Sequence, residues 1–274
     1  MIMLSIIIPL YNSSTVIETL INNLKNQTCK NFEVLFIDDC SKDDSYKKAV
    51  AYIKNSNLNF KIFRNKENKG PGISRNICIE HAAGQYITFL DSDDKFDKKT
   101  VEIISNVIDV VQNPDAILFD FYMVFNNKKI KCDTVMKQAE GFITPEQAIL
   151  YSTSATWCKV YKRDIIQKSS LRFPDMRIKE DFVFNKLVMA NCHTIFYKKV
   201  YLYEYIINHS SIMHTAKIVD NKNEKKAFEI IDKELGNQFN DVILKLKIRE
   251  YLTAVVQNMI RGKKKQQIYQ KFYI

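Results

Sequence analysis

Glycine and proline are scarce, at six and five residues in a chain of 274. A collagen-like repeat or a long low-complexity linker needs far more of both, so neither is expected. His81, His193, His209 and His214 are the only histidines, and they show no metal-ligand spacing. Six cysteines (Cys29, Cys40, Cys78, Cys132, Cys158, Cys192) are scattered without one Cys-x-x-Cys pair. Neither a zinc site nor a disulfide framework is therefore expected, and a reducing cytoplasm is the simplest setting. No apolar run approaches the roughly 20 residues that span a bilayer; the longest, 116–125, is interrupted by Asp120. Met1 leads into a short apolar stretch with no basic start and no cleavage site, so no signal peptide is expected. Glycine-rich phosphate loops of the GxxxxGK[ST] and dinucleotide types are also missing.

What remains is an ordinary globular composition, 46% hydrophobic and 26% charged, with a formal net charge of +10. A basic balance suits an anionic partner: nucleic acid, a membrane surface or a phosphorylated substrate. Outside the C-terminal end the lysines are dispersed instead of being clustered with aromatics, which argues against nucleic acid.

The first half of the chain alternates strand and helix patterns. Leu4 to Pro9 is a continuous apolar run of strand length. Thr15 and Glu18 have the spacing of a capping box before Val16, Ile17, Leu20, Ile21 and Leu24 recur at helical intervals. Strands follow at 32–37, 60–63 and 86–90, and helices at 45–54 and 71–83, the last with Pro71 in its first turn and Gly84 at its end. Such alternation predicts a mainly parallel sheet covered by helices. The second half predicts a strand at 116–125, helices at 145–151 and 179–190, a strand at 194–207, and helix from about residue 220 onward.

Sheets of this kind bind ligands beyond the carboxyl ends of their strands. Polar clusters sit at four such ends: Pro9-Leu10-Tyr11-Asn12, Asp38-Asp39-Cys40-Ser41, Lys69 to Gly72 leading to Arg75, and Asp91-Ser92-Asp93-Asp94. The last packs three carboxylates together, which repel unless a cation sits among them. One reading is a turn or helix cap. The other is a metal site, and oxygen-only ligands suit Mg²⁺ or Mn²⁺, with substrate phosphates completing the shell. Asp38 and Asp39 either cap the next helix or accept hydrogen bonds from a base or ribose. Arg75 is either a solvated helix residue or a two-oxygen ligand for phosphate. Glu180 and Asp181 are either partners of a helix dipole or a general base. His209 is the one histidine that could contact diphosphate.

Taken in order, "SIIIPLYN" (5–12), "NLKNQTCKNFEVLFIDDCSKDDS" (23–45), "NKGPGISRN" (68–76), "AAGQYITFLDSDD" (82–94), "TWCKVYKRDII" (156–166) and "KEDFVFN" (179–185) resemble a family 2 glycosyltransferase of GT-A fold. The resemblance implies an α/β nucleotide-binding sheet flanked by helices with a helical C-terminal extension. It implies an inverting transferase that moves a sugar from a nucleotide-diphosphate sugar, usually a UDP-sugar, onto a glycan or lipid-linked saccharide. Pro9, Tyr11, Asn12 and Asp39 would line the nucleoside pocket, with Ser92 beside it and Arg75 near the diphosphate. Asp91 and Asp93 match a DxD motif: Asp93 would bind Mn²⁺ or Mg²⁺, and Asp91 would contact ribose or metal-bound water. Asp181 matches the general base, with Glu180 next to it. Trp157 and Lys159 would shape the acceptor side. Relatives carry Tyr-Arg-x-His-x-x-Ser-Ile after the base helix, whereas Ile206 and Asn208 replace Arg and His here, and His209 lies one position off.

On this basis residues 1–215 form the transferase domain, with a nucleotide-binding half (1–95) and an acceptor-binding half (96–215). Residues 216–274 form the helical extension. Its basic and aromatic end, 259–274, is either a segment for an anionic membrane surface, at the inner face of a bacterial membrane, or a solvated helix. Two rivals remain: a nucleotidyltransferase of sugar phosphates, whose basic Gly-rich N-terminal loop is missing, and a degenerate relative that binds nucleotide without reacting.

Overall fold

Strand β1 (Leu4–Leu10) is almost wholly buried, as a strand covered on both faces must be. In the computed structural model, which describes residues 2–54, 56, 58–136, 138–207 and 221–261, Ile7 joins one apolar cluster while Leu4, Ile6, Ile8 and Leu10 join another. A strand's period of two sends neighbours to opposite faces, so the clusters lie on the two sides of one sheet. Strand β2 (Phe32–Asp38) divides likewise, Leu35 and Ile37 to one side and Phe32, Val34 and Phe36 to the other.

With β3 (Asn59–Arg64) and β4 (Tyr86–Phe89) these strands form a parallel set in the order β3-β2-β1-β4. The connecting helices are α1 (Ile17–Lys25), α2 (Ser45–Lys54) and α3 (Pro71–His81). Chain order reverses direction between β1 and β4, which opens a crevice beyond their carboxyl ends. The sheet then continues β9-β6-β10-β5. Here β9 (Lys159–Lys162) runs antiparallel to β4 and to β6 (Ala116–Phe125), and β10 (Ile195–Ile206) runs parallel to β6. The two-residue β5 (Lys95–Phe96) pairs with β10 and so fixes the loop after β4 against it. Strands β7 (Lys128–Cys132) and β8 (Gly141–Ile143) add to β6 and β10.

Helices α1, α2 and α4 (Thr100–Val110) pack on one face. On the other lie α3, α5 (Pro145–Tyr151), α6 (Arg163–Lys168), α7 (Glu180–Ala190) and α8 (Asn221–Arg261), the last interrupted at Phe239 (φ −124°, ψ 27°). No described helix is long and apolar enough to cross a membrane.

Two local expectations fail. Thr15 does not cap α1: the helix begins at Ile17 behind Val16 with no side-chain cap, and the Ser13 carbonyl accepts from the Val16 and Ile17 amides instead. A capping box does form at α5, between Thr144 and Gln147. Gly84 is not the end of α3, which stops at His81 with an extended Ala82 after it. Its role is close approach, since a Cβ there would lie 2.6 Å from the Ser5 amide nitrogen.

Asp120, which breaks the apolar run of β6, is fully buried. The Tyr197 hydroxyl lies 2.8 Å from both its carboxylate oxygens, and the Thr134 amide donates at 2.7 Å. Burial pushes its pKa up to about 6 despite these bonds.

Candidate active site

Each strand of the parallel set delivers a polar loop to the crevice. After β1, Tyr11 is 43% exposed, beyond the half-buried Pro9. Asn12 takes a left-handed backbone (φ 49°), donates its amide to Ser41 Oγ at 3.0 Å and accepts from the Lys42 amide at 2.9 Å. Ser13 Oγ lies 2.8 Å from Ser92 Oγ, which ties the β1 loop to the β4 loop.

After β2, the two adjacent aspartates divide their work. Asp38 accepts from Arg64 Nε at 3.0 Å and from the Ser41 amide at 3.2 Å. Asp39 accepts from Asn65 Nδ2 at 2.7 Å and from the Lys69 and Gly70 amides at 2.9 and 2.8 Å. The buried Asp39 carboxylate therefore fixes the turn that starts α3, and Gly70 takes a φ of 86° in that turn. Neither aspartate caps α2; there Asp43 accepts from the Ser45 amide at 3.0 Å.

Asp91 and Asp94, after β4, prove unlike each other. Asp94 turns inward and is 2% exposed, accepting from the Tyr203 hydroxyl at 2.6 Å and the Ile206 amide at 2.7 Å. Burial, reinforced by Asp91 and Asp93, raises its pKa well above the carboxylate range. Asp91 accepts from Arg75 Nη2 at 2.7 Å, so the cation beside this cluster is a guanidinium. Arg75 is not solvated: it is buried, stands 5.5 Å from the Phe173 ring centre, and its Nη1 lies 3.7 Å from Glu180. Its Nε is buried and has no hydrogen-bond partner among the described residues. Burial opposes the Arg75 charge, but Asp91, Glu180 and Asp181 more than offset this and raise its pKa.

Helix α7 brings the second acidic pair to the same place. Gly72 makes this possible, because a Cβ there would come within 2.8 Å of Glu180 Cγ and 3.1 Å of Phe173 Cβ. Lys179 precedes the helix in a left-handed conformation (φ 72°). Glu180 is 7% exposed, and Asp181 accepts from the Phe182 amide at 2.7 Å. Burial raises the pKa of both carboxyls; proximity to Asp181 raises Glu180 further, while Arg75 pulls each the other way. A carboxylate that served only as a helix-dipole partner would have its pKa lowered by that partner, whereas both carboxyls here are raised.

Trp157 and Lys159 separate in the structure. The Trp157 ring stacks on Tyr203 at 4.3 Å and Tyr205 at 5.6 Å, with its edge arrangement to Phe121 at 4.7 Å. Lys159 is fully buried and cannot itself touch an acceptor. Its ammonium is spent on the Thr153 and Ala155 carbonyls at 2.8 and 2.5 Å, and burial lowers its pKa. Lys186 donates to the Ser152 carbonyl at 3.2 Å, and Asn185 donates to that of Ser154. Four consecutive carbonyls are thus gripped by buried side chains, two of which stand on the helix that begins with Glu180. Replacing Asn185 with Leu would orphan the Ser154 carbonyl and the Tyr161 hydroxyl, which donates to Asn185 at 2.5 Å. The expected loss is about 2–4 kcal/mol, read from urea unfolding; a change under about 0.5 kcal/mol would show that the grip is not structural.

Sequence reasoning missed Tyr203, Asn185 and Lys186. Tyr203 joins the site only because β10 pairs with β5, and its hydroxyl also accepts from the Asp91 amide at 3.2 Å. A lysine and an asparagine inside an otherwise apolar helical repeat were the available signal for the other two. Ile206 closes β10 opposite Val124. Asn208 and His209 lie outside the described residues, as does 262–274 of the basic end.

The exposed side of the β4 loop offers only oxygen donors, from Asp91, Ser92 and Asp93, and the Asp91 side chain is 31% exposed. Among the described residues no three His, Cys, Asp or Glu side chains form a ready-made metal cage. That donor set fits a hard divalent cation that takes its remaining oxygens from a substrate.

A family model described as Glycosyl transferase family 2 matches residues 5–169. The chain is 30% identical over 199 residues to the poly(ribitol-phosphate) beta-N-acetylglucosaminyltransferase TarS of Staphylococcus aureus (strain MW2), covering 71% of this chain and 34% of TarS. It is 30% identical over 233 residues to the putative glycosyltransferase EpsH of Bacillus subtilis (strain 168), covering 82% of this chain and 64% of EpsH. The chain therefore spans only a third to two thirds of the length of these relatives. The crystal structure of S. aureus TarS 1–349 in complex with UDP-GlcNAc superposes with a TM-score of 0.80 at 24% identity, covering 97% of this chain and 77% of that one. The mannosyltransferase PcManGT from Pyrobaculum calidifontis, in complex with GDP-Man and Mn²⁺, gives 0.58 at 14% identity, covering 88% and 68%. These likenesses establish the GT-A fold expected from the motifs.

Proposed function

Because the chain belongs to glycosyl transferase family 2, we propose that it is an inverting transferase that moves a sugar from a UDP-sugar to a hydroxyl of a glycan or lipid-linked saccharide. The observation that carries this reading is Arg75, whose buried guanidinium joins Asp91 at the end of β4 to Glu180 at the start of α7. It draws the donor-side loop and the acidic pair into one crevice. The name and UDP-GlcNAc complex of TarS support a UDP-sugar donor, and the Mn²⁺ in PcManGT supports a divalent cation.

In this reading Pro9, Tyr11, Asn12 and Asp39 border the nucleoside, with Ser92 beside them. Asp93 and Asp91 would hold Mn²⁺ or Mg²⁺, which when bound neutralises charge on the departing diphosphate. Asp181 removes the acceptor hydroxyl proton as that oxygen attacks the anomeric carbon from the face opposite the diphosphate. Glu180 and Arg75 set the charge around that carboxyl. A single displacement inverts the anomeric centre, and no covalent glycosyl intermediate is required. The gripped 152–155 loop and Trp157 border the acceptor side. The domain division is proposed in the same terms: 1–95 for the nucleotide, 96–215 for the acceptor, and 216–274 as an extension built on α8.

Thermal unfolding with UDP, GDP, dTDP and CMP, each with and without Mn²⁺, tests this directly. A ligand at about 100 times its Kd stabilises the native state by about 2.7 kcal/mol. A rise in Tm with UDP that needs Mn²⁺, and that Asp93→Ala abolishes, is the expected result. No rise with any nucleotide would overturn the transferase reading. A Mn²⁺-dependent rise that persists in Asp93→Ala would remove that residue from the metal site.

A further inference from the structure

Between α6 and α7 the chain crosses the turn that opens α3, and it is fastened there at both ends of the crossing. The Phe173 amide donates to Asn76 Oδ1, and the Phe173 carbonyl accepts from Asn76 Nδ2, both at 2.9 Å. Phe173 and Met176 are buried in the core. Arg177 comes next, on the surface, yet its guanidinium is not left to solvent. Nη1 donates to Asn68 Oδ1, and Nη2 donates to the Asn68 carbonyl at 2.9 Å. The same side chain lies against Gly70, where a Cβ would stand 3.2 Å from Nη1 and 3.4 Å from Cδ.

The partner is neutral, so no charge is paired by this contact. What it fixes is the direction of an amide. A guanidinium can only donate, so the Asn68 oxygen must face Arg177 and its NH2 group must face the other way. There Nδ2 donates to the Asp39 carbonyl at 3.3 Å. Asn68 is half-buried, beside the wall that the Asp39 carboxylate builds with Asn65, Lys69 and Gly70. An amide NH2 carries two hydrogens, of which the Asp39 carbonyl takes one. The other is a donor for a ligand lying along that wall. It suits a base whose edge carries a carbonyl, as uracil does. Cytosine carries an amine in that place, and two donors cannot bond each other.

We propose that Arg177 is a positioning residue for the nucleoside: by holding Asn68 in one orientation it presents an N–H to the base and favours uracil over cytosine. This rests on the nucleotide-sugar reading above and adds to it the residue that decides between two pyrimidines.

Titration calorimetry of the full chain with UDP and with CDP, each with Mn²⁺, tests it. The two ligands share ribose and diphosphate and differ only in the base. Wild type should bind UDP about tenfold or more tightly than CDP, the worth of one hydrogen bond made against one refused. Arg177→Ala frees the Asn68 amide to turn over. It should weaken UDP about tenfold and bring the two affinities within about threefold of each other. Arg177→Lys keeps the charge but not the fork, so it should restore little of the preference. Both variants change an exposed side chain, and melting without ligand should match the wild type. A merely structural role would move the melting and leave the UDP-to-CDP ratio in place. A ratio in Arg177→Ala within about twofold of the wild-type value would overturn the proposal, as would a wild type that binds both ligands alike. Either result, with UDP bound, leaves the transferase reading standing; a wild type that binds neither would bring down both.

Discussion

Asp181→Asn is expected to lower kcat by about 10²–10⁴-fold, the range supplied by a positioned general base, while leaving donor binding intact. The substitution keeps the shape and the bond from the Phe182 amide, so loss of turnover would report lost basicity. Burial raises both carboxyls of the pair, and only the ionised base accepts a proton. The wild-type rate should therefore fall as pH drops through the raised pKa of the base. Stability runs in the opposite sense. A carboxyl whose folded pKa exceeds its unfolded value binds protons more tightly when folded, so its contribution is full below the unfolded value and is lost as pH rises through the folded one. Asp181→Asn should accordingly flatten the decline of Tm toward neutral pH. Turnover retained within a few-fold would exclude Asp181 as the base and direct attention to Glu180→Gln.

Arg75→Ala should be the most damaging single change to the fold of the site. It would leave Glu180 buried and Asp91 partly buried without their shared counter-charge. Breaking a buried ion pair by deleting one partner costs about 3–5 kcal/mol; the 31% exposure of Asp91 argues for the lower end. On the proposed mechanism transfer should be lost as well, because the loop after β4 and the start of α7 would no longer share a cation. Arg75→Lys restores charge but not the fork that reaches both carboxylates, so it should recover part of the stability and little of the activity. Urea unfolding at neutral pH separates these cases. If Arg75→Ala were as stable as the wild type to within about 0.5 kcal/mol, the bridge would not be structural and Arg75 would act on ligand alone.

Sequence determined much of this molecule directly. Short, largely apolar runs at 4–9 and 32–37 pointed to strands covered on both faces, and β1 and β2 form there. Helical spacing after Pro71 and after Lys179 determined α3 and α7. Order and spacing of the motifs gave the family, since each polar cluster follows a strand and a parallel sheet sends all such ends to one edge.

Local pattern could not say which carboxylate does what. Asp91 and Asp94 are three positions apart, yet one meets Arg75 and the other is sealed beneath Tyr203. That choice depends on β5 pairing with β10, a contact between segments more than a hundred residues apart. Gly72 matters because Glu180 arrives against it from another helix, and Lys159 proved a clamp because β9 inserts beside β4. The Thr15 pattern failed locally instead: the chain turns on the Ser13 carbonyl, which takes the Val16 and Ile17 amides, and the helix starts at Ile17 without a side-chain cap. Periodicity reads burial, which is a property of one segment; pairing, pKa and contact belong to segments that only the folded chain brings together.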